Sequence, residues 1–349
     1  MPFIKRFLCS SNSYFKIKAF CFKCIVILFL FTNHTNAQGV NLSGLEKTWN
    51  SDINLRFNYF KNVMKQLKKK DIEQIRIPVD LDHFINDKSE KQVNNFKRLV
   101  YKINKYARRK DFTIIWANFN HDLTHENFNE KTKTIHRLWL SFMDFIKYDK
   151  SFTKVHFEIV NEPELYPSEW NKVSRIIIEE IRSVYPDVKV IIGSSNYNSI
   201  YELSRMKPLP FSNVIYSFHF YEPFIFTHQG TKWTGDENAT IGIPFPYDSS
   251  QMPKLSLKAR NTDGEINFKN YKYTGNLKAL VDKLHIVKTW KEKHNVKVWC
   301  TEYGVTKNAD EKSRSTYLKK FRLALKYYGF KGFIWEFTGT FGVKNLLFR

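Results

Sequence analysis

Cysteine is almost missing from the part of this sequence that can fold. Of its four cysteines, Cys9, Cys21 and Cys24 stand in the first 24 of 349 residues, and only Cys300 follows. No intramolecular disulfide can form beyond the N-terminal segment, so stability there has to come from core packing. A chain of ~300 residues buries about 75% of the surface of its unfolded state and needs no covalent staple. Cys300 lies in the apolar run Val296–Cys300 and reads as a buried core thiol rather than a reactive one. Long apolar runs are missing too. The uninterrupted stretch Cys24–Phe31 is eight residues, against the ~20 that span a bilayer. There is no linker, solenoid repeat or low-complexity run, and no arginine-rich arm, zinc-finger spacing or aromatic RNA-binding strand, which argues against a nucleic-acid partner.

Acidic residues are absent before Glu46. In that stretch Lys5, Arg6, Lys16, Lys18 and Lys23 precede the short apolar run, and Thr35-Asn36-Ala37 offers a small-residue cleavage site. This pattern is a secretory signal over residues 1–37, leaving a single domain over residues 38–349 that is exported to the extracellular or periplasmic space. An uncleaved N-terminal anchor is the alternative.

What is present is a globular composition with a basic excess. Lys plus Arg number 56 against 34 Asp plus Glu, a formal charge of +22, and 31 Phe, 18 Tyr and 8 Trp can fill a large core. The lysines are spread along helix-patterned stretches such as Lys65–Lys70 and Lys283–Lys293, so a solvated lysine-rich exterior is expected, with attraction to acidic glycans or anionic surfaces as the lesser reading.

Short apolar, β-rich runs alternate with longer amphipathic ones. Strands are expected at Val40–Leu42, Ile72–Val79, Phe112–Ala117, Lys154–Val160, Val188–Ile192, Val214–Phe220, Val296–Thr301 and Gly332–Phe337. Helix-patterned stretches fall at Leu55–Lys69, Lys91–Arg109, Thr132–Tyr148, Ser168–Val184, Leu277–Glu292 and Glu311–Tyr328. Eight such units predict an α/β fold, a closed (β/α)8 TIM barrel with a shortened or missing final helix. The stretch Tyr221–Asn276 reads as one extended loop after the sixth strand.

Polar and ionisable residues gather where the apolar strands stop: Arg76 on strand two, Asn161 and Glu162 after strand four, His219 and Tyr221 at strand six, Glu302 at strand seven, Trp335 at strand eight. In a barrel these ends share one rim, the face on which such folds build active sites. Glu162 and Glu302 could therefore face each other across the mouth. Two carboxyls ~5–5.5 Å apart are what retaining glycoside hydrolysis requires, one attacking the anomeric carbon while the other protonates the leaving oxygen. Glu302 would be held ionised by Arg76 and by a hydroxyl such as that of Tyr221, and its charge would favour a protonated Glu162.

At these positions the sequence resembles family 5 of the glycoside hydrolases, the cellulase family, over nearly the whole of residues 38–349. The family's Asn-Glu-Pro is similar to Asn161-Glu162-Pro163 and its Thr-Glu-Tyr/Phe-Gly to Thr301-Glu302-Tyr303-Gly304. The resemblance implies Glu162 as acid/base, Glu302 as nucleophile, Asn161 as the holder of a sugar 2-hydroxyl and Trp335 as the floor of the sugar site, with Arg76, His219 and Tyr221 at the remaining matched positions. The family usually places a His at the end of strand three. Here Phe119 stands there and His121 follows, carried over as a substrate-binding position.

No cofactor is expected. His121 and His125 have helical zinc spacing but lack a third ligand. An aromatic rim of Trp116, Tyr221, Phe224, Phe226, Trp233, Phe245 and Tyr247 is expected, with Trp233 and Trp335 as the sugar platforms. The expected partner is a β-linked polysaccharide or oligosaccharide, β-1,4-glucan first and mannan second, acted on by a monomer. A barrel that binds carbohydrate without cleaving it is the alternative of another class.

Overall fold

The computed structural model describes residues 39–46, 57–86, 88–119, 122–147 and 152–347. The expected signal segment and His121 lie outside the described residues. Eight parallel strands pair in chain order and the last closes onto the first. They are β1 (Gly39–Asn41), β2 (Gln74–Val79), β3 (Thr113–Asn118), β4 (Val155–Glu158), β5 (Val190–Gly193), β6 (Val214–Phe220), β7 (Lys297–Tyr303) and β8 (Lys331–Ile334). Around them lie α1 (Phe57–Lys68), α2 (Glu90–Arg109), α3 (Phe128–Asp144), α4 (Pro167–Val184), α5 (Ile200–Arg205), α6 (Asp263–Thr274), α7 (Leu277–His294), α8 (Glu311–Tyr327) and the single turn α9 (Lys344–Leu347). The eight expected strands and six expected helices are all present, with ends displaced by a few residues.

Local chemistry sets these boundaries. In α2 the buried Phe96, Leu99, Val100, Ile103 and Ala107 recur at three- and four-residue steps, and Gln92 reaches back to accept the Ser89 N–H at 3.0 Å. The Asp310 carboxylate accepts the Ser313 N–H at 2.9 Å and starts α8. Asn295, in the left-handed conformation at φ 50°, ends α7.

The strands are buried on both faces, which is why they read as apolar runs rather than alternating ones. Two cores result. Ile115, Ile191, Ile215, Trp299 and Phe333 form the inner layer of the barrel, while Phe60, Trp139, Trp170 and many others pack between strands and helices. The interior is tight enough that a Cβ at Gly39 would lie 2.0 Å from the Phe333 ring. Glycine is the residue that lets β1 pass there.

One expectation needs correction. The long insertion after β6 is not a plain loop, because it contains the twelve-residue helix α6. Only Gly264 and Tyr271 of that helix are buried, so it carries no apolar stripe. Its start is fixed instead by the Thr262 hydroxyl, which accepts the Gly264 N–H at 3.1 Å. Among the described residues no helix is long and apolar enough to cross a membrane.

Gly304, just past β7, lets the chain approach Trp335: an added Cβ would sit 2.3 Å from the Trp335 carbonyl oxygen. Gly304→Ala is therefore expected to lose about 1–3 kcal/mol of stability through overpacking. Urea unfolding of wild type and variant checks this, and an unchanged midpoint would refute it.

Candidate active site

The site is organised by Arg76, a fully buried guanidinium on β2. Its Nε donates to Glu158 Oε2 at 2.6 Å and its NH2 to Asn161 Oδ1 at 2.7 Å. Its NH1 donates to Asn41 Oδ1 at 2.9 Å and to Glu302 Oε1 at 2.6 Å. Burial alone would favour the neutral guanidine, but the Glu158 and Glu302 carboxylates more than offset that and keep it charged. Asn41 closes the ring by donating to the carbonyls of Thr301 at 3.1 Å and Ile334 at 3.2 Å. A buried Asn41 so occupied has no room for the glycan that its Asn-Leu-Ser sequon would invite.

Glu302 sits beside His219 because the β6–β7 register shifts between Phe218 and His219, which pairs His219 with Glu302. Its second oxygen, Oε2, accepts the Tyr221 hydroxyl at 2.8 Å. Burial pushes the Glu302 carboxyl up, while His219, Arg76 and the Tyr221 hydroxyl pull it back and Glu162 adds to the rise. The ionised state expected of Glu302 thus depends on two donors, Arg76 and Tyr221, and on the charge of His219 against a dry environment. Burial and the neighbouring carboxylates hold the Tyr221 hydroxyl protonated.

Glu162 lies beyond β4 with a positive φ of 45°, a conformation that non-glycine residues adopt mainly under local constraint. Its Oε1 meets His219 Nδ1 at 2.6 Å. His219 Nε2 meets the Thr301 hydroxyl and Asn198 Nδ2, each at 3.1 Å. Burial lowers the imidazole, yet Glu302 and Glu162 outweigh it and raise the net basicity. Atoms of Glu162, His219 and Glu302 all lie within 4.8 Å of one another. That spacing would suit a cation, but Arg76 and Tyr221 already donate to both oxygens of Glu302.

Asn161, Glu162, His219, Tyr221 and Glu302 line a cavity of about 1010 Å3 at the C-terminal ends of the strands, together with Trp335, Phe119, Trp233, Phe224 and Tyr197. Phe119 stacks nearly parallel to Trp335 at 5.9 Å and lies 5.3 Å from the Arg76 guanidinium, filling the place where a polar strand-three residue was expected. Trp233 is half exposed. Tyr197 is presented on a turn in which Asn196, Tyr197 and Asn198 all have left-handed backbones, φ 53° to 59°.

The expected Asn161, Glu162, His219, Tyr221, Glu302 and Trp335 line this one cavity with Trp233 at its edge, and Arg76 is buried behind them, bonded to Glu302 and Asn161. The aromatic rim needs correction. Trp116 is fully buried on the outward face of β3, edge-on to Phe142 at 5.1 Å, because its neighbours Ile115 and Ala117 take the inward register. Phe226 and Phe245 pack on Tyr317, and Tyr247 leans on Tyr271. Four polar residues were missed. Asn41 and Glu158 hold Arg76, and Glu158 carries a signal, a lone charge in an apolar run two residues after His156. Glu46 and Glu336 line the cavity; Glu336 carries the signal of a charge at the end of an apolar strand, and Glu46 carries none, since it meets Glu336 only where β1 closes against β8.

Residues 33–340 match the family described as cellulase (glycosyl hydrolase family 5). Endoglucanase 3 of Fibrobacter succinogenes is 25% identical over 334 residues, covering 88% of this chain and 50% of that protein. Endoglucanase C of Acetivibrio thermocellus is 28% identical over 200 residues, covering 55% of this chain and 56% of that protein. The chain thus spans about half the length of these curated relatives. A hyperthermophilic endo-β-1,4-glucanase solved with substrate has a TM-score of 0.70 at 24% identity, covering 88% of this chain and 91% of that one. Cel5A of Thermotoga maritima, solved with mannotriose, has 0.67 at 20%, covering 89% and 96%. The two solved structures establish the shared fold.

Glu46 and Glu336 are each pushed up to about 7, foremost by burial and further by the carboxylates near them. A folded state that keeps protons which the unfolded chain releases above about 4.5 loses stability as pH rises from there to about 7. His156 and His228, both lowered to about 3 by burial, act with the opposite sign between about 3 and 6.5, so the difference between proteins is the informative quantity. Glu46→Gln and Glu336→Gln are each expected to gain stability relative to wild type across pH 4.5–7, by up to about 3 kcal/mol at the upper end. Denaturant unfolding at several pH values measures it, and a pH-independent difference would refute the assignment.

Proposed function

This chain belongs to glycosyl hydrolase family 5, the cellulase family, and on that premise we propose that it is an exported retaining glycoside hydrolase cleaving β-1,4-linked glucan by double displacement. The observation that carries the reading is the approach of Glu162 and Glu302, whose oxygens come within 4.8 Å with His219 beside both. It supports the ~5–5.5 Å carboxyl spacing of retaining enzymes over the ~6.5–9.5 Å of the inverting route.

Glu302 attacks the anomeric carbon, with Arg76 and Tyr221 fixing its two oxygens and shifting their bonds as its charge is spent. Glu162 gives its proton to the leaving oxygen, then removes one from the water that cleaves the glycosyl-enzyme. Asn161, anchored through its Oδ1 on Arg76, keeps its amide N–H2 for a sugar hydroxyl. Trp335 offers its face to the ring, held in place by Phe119 and by its own N–H on the Tyr303 carbonyl at 2.8 Å. A barrel that merely binds sugar would have no use for two carboxyls forced together at this cost in burial.

The lining also bears on substrate charge. Glu46, Glu162, Glu222, Glu237, Glu302 and Glu336 line the cavity, and among the described residues no lysine or arginine does, in a chain of charge +22. Such a cleft favours an uncharged glycan over a carboxylated or sulfated one. The relatives named endoglucanases support glucan ahead of mannan.

Reducing-end release from neutral β-glucan and glucomannan is expected for wild type, with Glu162→Gln lower by ~10²–10⁴-fold and Glu302→Gln inactive. Equal activity in all three, or net inversion of the first product by NMR, would end the proposal. On an aryl glycoside whose leaving group needs no acid, Glu162→Gln is expected to keep its first step while Glu302→Gln loses it. Hydroxyethyl cellulose is expected to be cleaved faster than carboxymethyl cellulose, by a ratio that narrows as salt screens the cleft. A salt-independent ratio would refute the charge argument.

A further inference from the structure

Lysine recurs at the opposite end of the barrel, where the strands begin. Lys189, Lys297 and Lys331 stand two residues before Ile191, Trp299 and Phe333, three members of the inner layer. The two-residue period of a strand gives each lysine the same inward register. Lys154, just before β4, stands two residues before His156, whose ring lies 4.9 Å from that of Trp299. Lys331 Nζ lies 4.8 Å from the Trp299 ring centre. Side chains from the starts of β4, β5, β7 and β8 therefore converge on the floor of the barrel.

Their charges act on one another. Burial lowers the Lys331 ammonium, and repulsion from Lys297, Lys154 and Lys189 lowers it further. His156 is 7% exposed, and its Nδ1 has no hydrogen-bond partner. Its remaining polar contact is with the Ile114 backbone, and burial followed by Lys189 and Lys331 drives the imidazole down to about 3. On α6 and α7, by contrast, some lysines find carboxylates one helical turn away, as in Lys269–Glu265, Lys278–Asp282 and Lys288–Glu292. On the floor Asp111 pairs with Lys154, while Lys297 and Lys331 have no carboxylate partner among the described residues.

We propose that the floor of the barrel is a binding site for a phosphate-type oxyanion, with Lys297 and Lys331 as principal donors, Lys189 and Lys154 flanking, and the edge of Trp299 as its apolar wall. A phosphate group offers several acceptor oxygens to ammonium groups arriving from different strands, and charge-assisted bonds of that kind are the strong ones. It supplies the negative charge that Lys297 and Lys331 lack. The site is independent of the cleft and of the hydrolytic reading. The phosphate can come free in solution or displayed as a phosphomonoester headgroup on a surface.

Calorimetric titration of the full chain with pyrophosphate at neutral pH and fixed ionic strength tests the first source. Co-sedimentation with phosphatidylcholine vesicles, with and without phosphatidic acid, tests the second. Each is run on wild type, on Lys297→Gln/Lys331→Gln, and on Lys278→Gln/Lys288→Gln, which removes the same charge from α7. Circular dichroism confirms folding, since all four side chains end in solvent. Expected is saturable binding that the floor variant weakens at least about tenfold and the α7 variant leaves nearly unchanged. His156 ring resonances should shift on titration of the wild type and of the α7 variant, and not of the floor variant. Pyrophosphate binding assigns a free anion, and binding confined to phosphatidic acid vesicles assigns a headgroup. Absence of both, or equal weakening in the two variants, overturns the proposal, because net charge rather than a built site would then account for any attraction.

Discussion

The structure depends on one buried cation. Arg76 has no solvent to stabilise it, and a guanidinium taken out of water costs several kcal/mol unless every donor finds an acceptor. Its acceptors come from β1, β4, the turn beyond β4 and β7, so satisfying one side chain fixes the relative heights of four strand ends. The carboxyl spacing at the mouth is therefore a by-product of charge neutralisation. Glu302 cannot drift without unpairing Arg76, and Arg76 cannot move without exposing Glu158 to the same dry interior.

Around that cation the donors are graded by exposure. Glu158, fully buried, is purely a counter-charge, and Glu302, almost as deep, keeps one oxygen for Tyr221. Glu162 is the most open of the three carboxylates, with 22% of its side chain exposed, which fits the acid/base role proposed for it. His219 stands between the last two and couples them, so the protonation of one is felt by the other.

Much of this was legible in the sequence, and the reason is physical. Strands buried on both faces must be apolar runs, so their positions show through, and any ionisable residue at their ends stands out. Arg76, Glu162, His219 and Glu302 were found that way. Less visible were contacts that exist only once the barrel closes. Glu46 looks like an ordinary surface glutamate, and Glu336, although it stands at the end of the eighth expected strand, has no partner that the sequence shows. Facing was also hidden: Trp116 and Phe119 sit three residues apart in one apolar segment, yet one turns to the helices and the other to the cavity. Helix α6 escaped because capping rather than an apolar stripe holds it.

The basic excess divides unevenly along the barrel axis. One mouth gathers six glutamates around a cavity, and the other gathers four lysines around Trp299. A body built this way carries an electric dipole along its own axis and feels a torque, not only a pull, in the field of a charged surface. Near an anionic layer such a dipole favours strand-starts first, with the glutamate-lined mouth held outward.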